Sequence, residues 1–229
     1  DGAIEGDDEE RGAERLWVQV GASLEALADK ARAAGVTVTT TDATALDTLA
    51  GRGMVHQGAV LRCGPYPYAD LEDFARAPDV TLVLDGVEDP RNLGAAARAA
   101  WALGATLLVI PFDRAVACTA SAHKAAAGAL SRLSVARVGN LRRALEQLKE
   151  KGAWLVGAEA DAAQAPWDVD LKGPVAVVVG GEDRGLRRLT REACDHVVSI
   201  PMASADTSLN AADAATVLLY ETLRQRRAK

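Results

Sequence analysis

The stretch Ile200-Pro-Met-Ala-Ser-Ala-Asp-Thr-Ser-Leu-Asn-Ala-Ala-Asp-Ala-Ala-Thr-Val-Leu-Leu-Tyr-Glu221 sets the reading of the whole chain. An apolar strand, His196 to Ile200, runs into Pro201, and a loop of small residues leads to Ser208-Leu209-Asn210. A helix then starts abruptly, carrying Ala214, Ala215, Val217, Leu218 and Leu219. Small residues leave the loop's N–H and C=O groups open to a ligand. Ser208 and Asn210 stand at the helix entrance, where short polar side chains bond free backbone donors or a bound molecule. Both readings, helix cap and ligand contact, stand at this point.

Outward from there, the same strand–loop–helix grammar recurs from Val80 onward. Strands at 80–84, 106–110, 135–138, 154–158, 175–179 and 197–200 alternate with helices at about 93–103, 120–130, 141–151 and 186–193, and the last helix follows Asn210. Continuous apolar strands between helices predict a parallel sheet buried on both faces. The front of the chain reads as a smaller α/β unit. It has a strand at 16–20, a helix capped by Ser23 through about Ala34, and a strand at 36–39. A helix from Ala43 to about Ala50, introduced by Thr41 and Asp42, and a strand at 59–62 complete it. We therefore expect domains at 1–63 and 79–229, with 64–78 as a linker holding a short helical turn at 71–76. Residues 1–13, acidic and glycine-rich, are expected to fray.

Composition narrows the function. With 49% hydrophobic and 25% charged residues among 229, a packed core is expected rather than disorder. Aromatics are only 4%, so the core falls to Ala, Val and Leu, which suits α/β layers. No apolar run approaches roughly 18 residues, so no membrane span is predicted. No secretory signal is expected, since no basic stretch followed by an apolar one is seen, and the scattered Cys63, Cys118 and Cys194 suit a reducing cytoplasm. The dispersal of the three histidines, His56, His123 and His196, argues against a metal site. Net charge is −6, which argues against a generic nucleic-acid binder. Basic residues nonetheless cluster at Arg132–Arg143, Arg184–Arg191 and Arg224–Lys229, and local patches rather than net charge meet phosphates.

Two more strand ends carry chemistry. In Leu84-Asp-Gly-Val-Glu-Asp-Pro-Arg-Asn-Leu-Gly-Ala-Ala-Ala-Arg-Ala-Ala100 a buried strand ends in a polar turn, and a small-residue helix begins near Asn92, its candidate cap. Arg98 is the odd residue on that helix, and it points either to solvent or into a cleft. In Val175-Ala-Val-Val-Val-Gly-Gly-Glu-Asp-Arg-Gly-Leu186, Gly180, Gly181 and Gly185 permit close backbone approach. This turn lacks the Walker Lys-Ser/Thr and does not match the dinucleotide fingerprint, so a nucleotide-binding oxidoreductase is poorly supported. Glu182 is either an exposed acid on a glycine turn or an acceptor for a ligand or a neighbouring loop.

Taken in order, Asn…Arg, Gly-x-Glu-x-x-Gly and Ile-Pro-Met…Ser-Leu-Asn resemble the three motifs of the SpoU/TrmH family of RNA ribose 2′-O-methyltransferases, in the SPOUT superfamily. Asp89-Pro-Arg-Asn-Leu-Gly-Ala-Ala-Ala-Arg98 resembles the first, Gly180–Gly185 the second and Ile200–Asn210 the third, and the likeness covers residues 10–227. The front portion, including Val55-His-Gln-Gly58, is similar to the L30e-like substrate-binding domain of the branch that methylates a 23S rRNA guanosine. That branch starts with a further segment, so this domain is expected to be N-terminally incomplete.

The resemblance implies an α/β SPOUT domain whose C-terminal part threads through a loop as a trefoil knot, an exception to the general absence of knots. It implies S-adenosylmethionine held at Gly181, Ile200, Met202 and Leu209, and a homodimer with the final helix at the interface. It assigns catalytic work to Arg98, Asn92, Glu182, Ser208 and Asn210. Arg98 acts as base or phosphate clamp, Asn92 orients Arg98 or the ribose, and Glu182 holds the loop. His56, Gln57 and Arg91 are candidate RNA contacts, with a structural His-Gln turn as the alternative for the first two. The chain departs from the family pattern at Asp183, Asp206 and Ala211-Ala212-Asp213. The expected activity is methylation of 23S-type ribosomal RNA in the cytoplasm, without a metal. A tRNA 2′-O-methyltransferase, an enzyme methylating an rRNA adenosine, and a non-catalytic RNA-binding assembly factor are the competing readings.

Overall fold

The computed structural model describes residues 12–51, 53–182, 184–204 and 207–228. The acidic start, Asp183 and Asp206 lie outside them. The chain divides into two compact units, one ending at Pro67 and one beginning at Tyr68.

The first unit holds β1 (Ala13–Gln19), α1 (Glu25–Ala33), β2 (Thr37–Thr41), α2 (Ala43–Ala50) and β3 (Ala59–Cys63). Its sheet runs β2-β1-β3, with β1 parallel to β2 and antiparallel to β3. Leu16 pairs with Val38 on one side and Leu61 on the other, and Leu16, Val18, Ala31 and Val36 make the core. Asp42 caps α2 as its sequence signal predicts, accepting from the Ala45 N–H at 2.8 Å. Ser23 does not cap α1. The N-cap is Leu24, without a side-chain bond, because the turn through Gly21 and Ala22 places Ser23 outside the helix. Val36, expected in a strand, belongs to the core between α1 and β2.

The second unit holds β4 (Val80–Asp85), α3 (Pro90–Ala102), β5 (Leu107–Pro111), α4 (Ala120–Ala126), β6 (Ser134–Val138) and α5 (Leu141–Glu150). It continues with β7 (Trp154–Ala158), β8 (Val175–Gly180), α6 (Arg188–Ala193), β9 (His196–Val198) and α7 (Ala211–Arg227). The six strands are all parallel, in the order β6-β5-β4-β8-β7-β9. Every residue of β4, β5 and β8 is buried, as continuous apolar runs between helices require. Helices α3, α4 and α7 pack together, as do α5 and α6.

Helix α3 starts earlier than expected. Asp89, not Asn92, is its N-cap, accepting from the Arg91 N–H at 2.7 Å, and Pro90 opens the first turn. Gly94 brings α3 and α4 together, since a Cβ there would sit 2.4 Å from the Ala122 carbonyl oxygen.

The chain from Tyr68 to Pro78, expected as linker, is built into this unit. The Ala69 N–H donates to Val135 O at 2.8 Å, Ala77 N to Lys151 O at 3.0 Å, and Lys151 Nζ to Leu71 O at 2.7 Å. Leu71 and Ala77 are buried, and a 3-10 turn covers Leu71–Asp73. Arg137 lies over the Tyr68 ring, and the Tyr68 hydroxyl accepts from the Cys118 N–H.

Candidate active site

Strands β4 and β8 run side by side and end together, with Asp85 opposite Gly180. Ligands of open α/β sheets bind beyond such carboxyl ends. A cleft of about 790 Å³ opens there, lined by the turn after β4, the glycine loop after β8, Asn92 on α3 and Ala211 at the start of α7.

The glycine loop is a tight hairpin. Gly181 and Gly185 bridge, with the Gly185 N–H on Gly181 O at 3.0 Å. A Cβ at Gly180 would fall 2.0 Å from Gly185 C, and one at Gly181 would fall 2.5 Å from Gly86 O. This packing lifts Glu182 to the first turn of α3, where the Asn92 amide donates to its carboxylate. Glu182 is an exposed acid on the glycine turn and at the same time an acceptor for the first turn of α3. Asn92 is thereby committed to Glu182 and is neither the helix cap nor a partner of Arg98.

Arg98 is exposed and stands outside the residues lining the cleft. It lies six residues after Asn92, which places it about 120° around the helix at 3.6 residues per turn. Arg91, also exposed, forks onto Asp89 at 2.8 and 3.1 Å. That fork holds the Asp89 carboxyl below the ordinary carboxylate range and raises Arg91.

At the third loop, Asn210 is the N-cap of α7. Its Oδ1 accepts from the Asp213 N–H at 2.8 Å and its Nδ2 donates to Asp213 Oδ2 at 2.8 Å. Ser208 and Met202 are exposed, while Ile200 and Leu209 are half-buried. Among the described residues, the backbone groups of Ile200, Met202 and Leu209 make no hydrogen bond within the chain. Ala211 brings this loop's end to the cleft that holds Asn92, Gly181 and Glu182.

In the first unit, His56 serves its own turn. Its Nδ1 accepts from the Gly58 N–H at 3.0 Å, which leaves the proton on Nε2, 3.3 Å from the Asp47 carboxylate. The ring is mostly buried, at 13% exposure. Gln57 sits exposed beside it with φ +52°. His56 is thus bonded within its own turn, and Gln57 is the more exposed member of the pair.

Sequence reasoning missed three residues. Asp85 ends β4 and is 1% exposed, and its carboxylate accepts from the Arg187 N–H at 2.9 Å. Arg187 places Nε 3.2 Å from the same carboxylate and donates through Nη2 to Asp113 O at 3.1 Å. Glu159, just past β7, accepts from the Leu186 N–H at 2.8 Å. Among the described residues no cluster of three His, Cys, Asp or Glu side chains stands ready for a metal, and no helix is long and apolar enough to cross a membrane.

The sequence matches two family profiles, the SpoU rRNA Methylase family over residues 79–220 and RNA 2′-O ribose methyltransferase substrate binding over residues 3–69. The 23S rRNA (guanosine-2′-O-)-methyltransferase RlmB of Xylella fastidiosa is 43% identical over 204 residues, 86% of this chain and 82% of that protein. The RlmB protein of Xanthomonas campestris pv. campestris is 42% identical over 209 residues, 89% of this chain and 84% of that one. Among solved structures, the SpoU methyltransferase AviRb of Streptomyces viridochromogenes in complex with the cofactor AdoMet aligns with a TM-score of 0.81 and 27% identity. That alignment covers 98% of this chain and 86% of the other.

Proposed function

The chain belongs to the SpoU rRNA Methylase family, and from that premise we propose that it transfers a methyl group from S-adenosylmethionine to a ribose 2′-hydroxyl of 23S ribosomal RNA, at a guanosine. The observation that carries this reading is the meeting at one cleft of Asn92 from the first strand-end segment, Glu182 from the second, and Ala211, the first residue of α7 directly after the third.

The residues present suit the cofactor. Gly181 sits where a side chain would strike Gly86, so backbone lines the pocket at that point. The uncommitted backbone groups of Ile200, Met202 and Leu209 offer donors and acceptors of the kind that hold an adenosine. When bound, S-adenosylmethionine supplies a methyl already activated by its sulfonium charge, so the protein's task is to position and deprotonate a ribose hydroxyl.

Arg98 clamps the phosphate beside the target ribose and steers the hydroxyl, a role its solvent-facing guanidinium suits. The base role is harder, since a guanidinium holds its proton far above neutral pH. Asn92 and Glu182 fix the loop across the cleft from Arg98's helix. Ser208 and Asn210 shape the substrate side of the cofactor pocket, Asn210 by setting where α7 begins. Arg91 and Gln57, both exposed, meet RNA, and His56 holds Gln57's turn in place.

Residues 1–63 act as the L30e-like substrate-binding domain and 79–229 as the methyltransferase domain. In the latter the C-terminal chain threads as a trefoil knot. The return of α7 from edge strand β9 to pack on α3 and β8 supports that path. The protein works as a homodimer, in which a second copy covers Trp101, Val217 and Tyr220. These residues are 42%, 39% and 59% exposed on α3 and α7. Its substrate places it in the cytoplasm.

The test is transfer of a labelled methyl group from S-adenosylmethionine to 23S rRNA, with nucleoside analysis of the product. A 2′-O-methylguanosine made by the wild type and not by Arg98→Ala is expected. Label entering tRNA instead would replace the substrate, and RNA binding without transfer would make the protein an assembly factor.

A further inference from the structure

Asp85 is fully buried at the cleft, yet the chemistry set out above gives it nothing to do. Its backbone carbonyl accepts from the Gly181 N–H at 3.0 Å, and its Oδ2 accepts from the Arg187 N–H at 2.9 Å. Gly181 and Arg187 are the two feet of the loop that carries Glu182. One residue of β4 therefore grips both ends of a loop that grows from β8. Its other oxygen, Oδ1, is buried without a hydrogen bond and has only the Arg187 Nε charge 3.2 Å away. Arg187 closes the arrangement through Nη2 on Asp113 O, in the turn after β5, and it lies against Gly86, where a Cβ would come within 3.3 Å of Nη2. Glu159 holds the same loop from the β7 side through the Leu186 N–H.

A buried ion pair is weak evidence for stability, because desolvation offsets much of the attraction and apolar residues of similar volume serve as well. An apolar substitute would keep the main-chain bond from Gly181, but it cannot take the Arg187 backbone N–H and guanidinium in fixed directions. We infer that Asp85 and Arg187 are a positioning pair for methyl transfer: together they hold the glycine loop so that Glu182 meets Asn92 at the cleft. The inference rests on the methyltransferase reading for its catalytic consequence, while the clamp itself rests on geometry alone.

The test compares wild type, Arg187→Gln, Arg187→Lys, Glu182→Gln and the Arg187→Gln/Glu182→Gln double variant by steady-state methylation of 23S rRNA, with melting curves for each. Arg187→Gln is expected to lower kcat by about 10–100-fold, the cost of misplacing a site by an ångström or less, while KM for RNA stays near wild type. Because Arg187 acts through Glu182, the double variant is expected to be no slower than the slower single variant. Arg187→Lys, which keeps the charge beside Asp85 but not the fork to Asp113, is expected to recover part of the loss. Hydrogen exchange of the backbone amides at 181–187 is measured on the same proteins and is expected to quicken in Arg187→Gln within that loop. Wild-type kcat in a folded Arg187→Gln, or losses that multiply with those of Glu182→Gln, would overturn the pair's role. Unchanged exchange in the loop would overturn the clamp. An inactive wild type strikes the methyltransferase reading instead, and the exchange experiment then decides the clamp independently. Should Arg187→Gln fail to fold, the same comparisons are made with Arg187→Lys, where wild-type kcat and exchange overturn the proposal.

Discussion

The Asn92 side-chain amide and the Glu182 carboxylate, 90 residues apart in sequence, are joined by a hydrogen bond that links helix α3 to the glycine loop. Each replaces water around the other at a partly exposed site, so the bond's value lies in placement more than in stability. Asn92→Ala and Glu182→Gln are each expected to lower kcat by about 10–100-fold, with their effects overlapping when combined. Melting temperatures should move little. Arg98→Ala should also leave stability within about 0.5 kcal/mol, as for other exposed positions, while methyl transfer falls by about 100-fold or more. Labelled methyl transfer and thermal denaturation on the same preparations check both halves.

Gly94 is a packing glycine rather than a hinge. A methyl group at this site meets Ala122 O at 2.4 Å and Ala125 Cβ at 2.5 Å, and neither is the end of a flexible side chain. Gly94→Ala is expected to cost about 1–3 kcal/mol, lowering Tm by about 2–4 °C for each kcal/mol in a chain of this length. Denaturant unfolding with an unchanged slope would attribute the loss to the folded state.

Asn210 has two roles that one substitution can separate. Asn210→Ala removes the N-cap of α7 and is expected to cost about 1 kcal/mol, together with affinity for S-adenosylmethionine. Asn210→Ser keeps a capping oxygen for the Asp213 N–H but loses the amide that binds the Asp213 carboxylate. It should restore stability. Calorimetric titration of S-adenosylmethionine into both variants shows whether the cofactor site needs the cap alone or the amide as well.

Glu221, buried on α7, accepts from Arg224 through both oxygens at 2.7 and 2.8 Å and from Gln225 at 2.9 Å. These bonds, Arg224's first, hold its carboxyl below the ordinary value of 4.5. A carboxyl depressed in the folded state contributes stability above its unfolded pKa, and that contribution fades as pH falls through the folded value. Glu221→Gln should therefore destabilise the protein at pH 7 by about 1 kcal/mol. The gap from wild type should narrow below pH 4.5. Melting curves of the two proteins across that range give the answer.

The chain wrote some of this plainly and some not at all. Asp42 caps α2 because a short acceptor before a helical run is a local signal, and the buried strands β4, β5 and β8 announce themselves by continuous Val and Leu. The start of α3 was written as well, in Asp89-Pro90, but the sequence reading took Asn92 for the cap. Ser23 carried the right chemistry one residue too early, since the backbone around Gly21 decides where α1 opens. Tyr68 to Pro78 looks like linker by composition and is held by carbonyl contacts to Lys151 that no local pattern encodes. The same holds for Asp85 and Arg187, partners 102 residues apart. Motif order singled out Asn92 and Glu182, but nothing in their spacing says that they bond to each other rather than to Arg98.

The strand order carries a consequence for how the protein is born. Strand β4 is the first of its sheet to leave the ribosome, and it finds β5 almost at once. Its other neighbour is β8, whose residues Val175–Gly180 emerge only after four more strands and helices have been made. Until then a strand rich in Val and Leu presents one bare edge, the feature most prone to pair with another chain. The cleft also lacks its far wall through that interval. A growing chain of this protein is therefore sticky until β8 slots in beside β4, and it stays silent until the loop after β9 and α7 have followed.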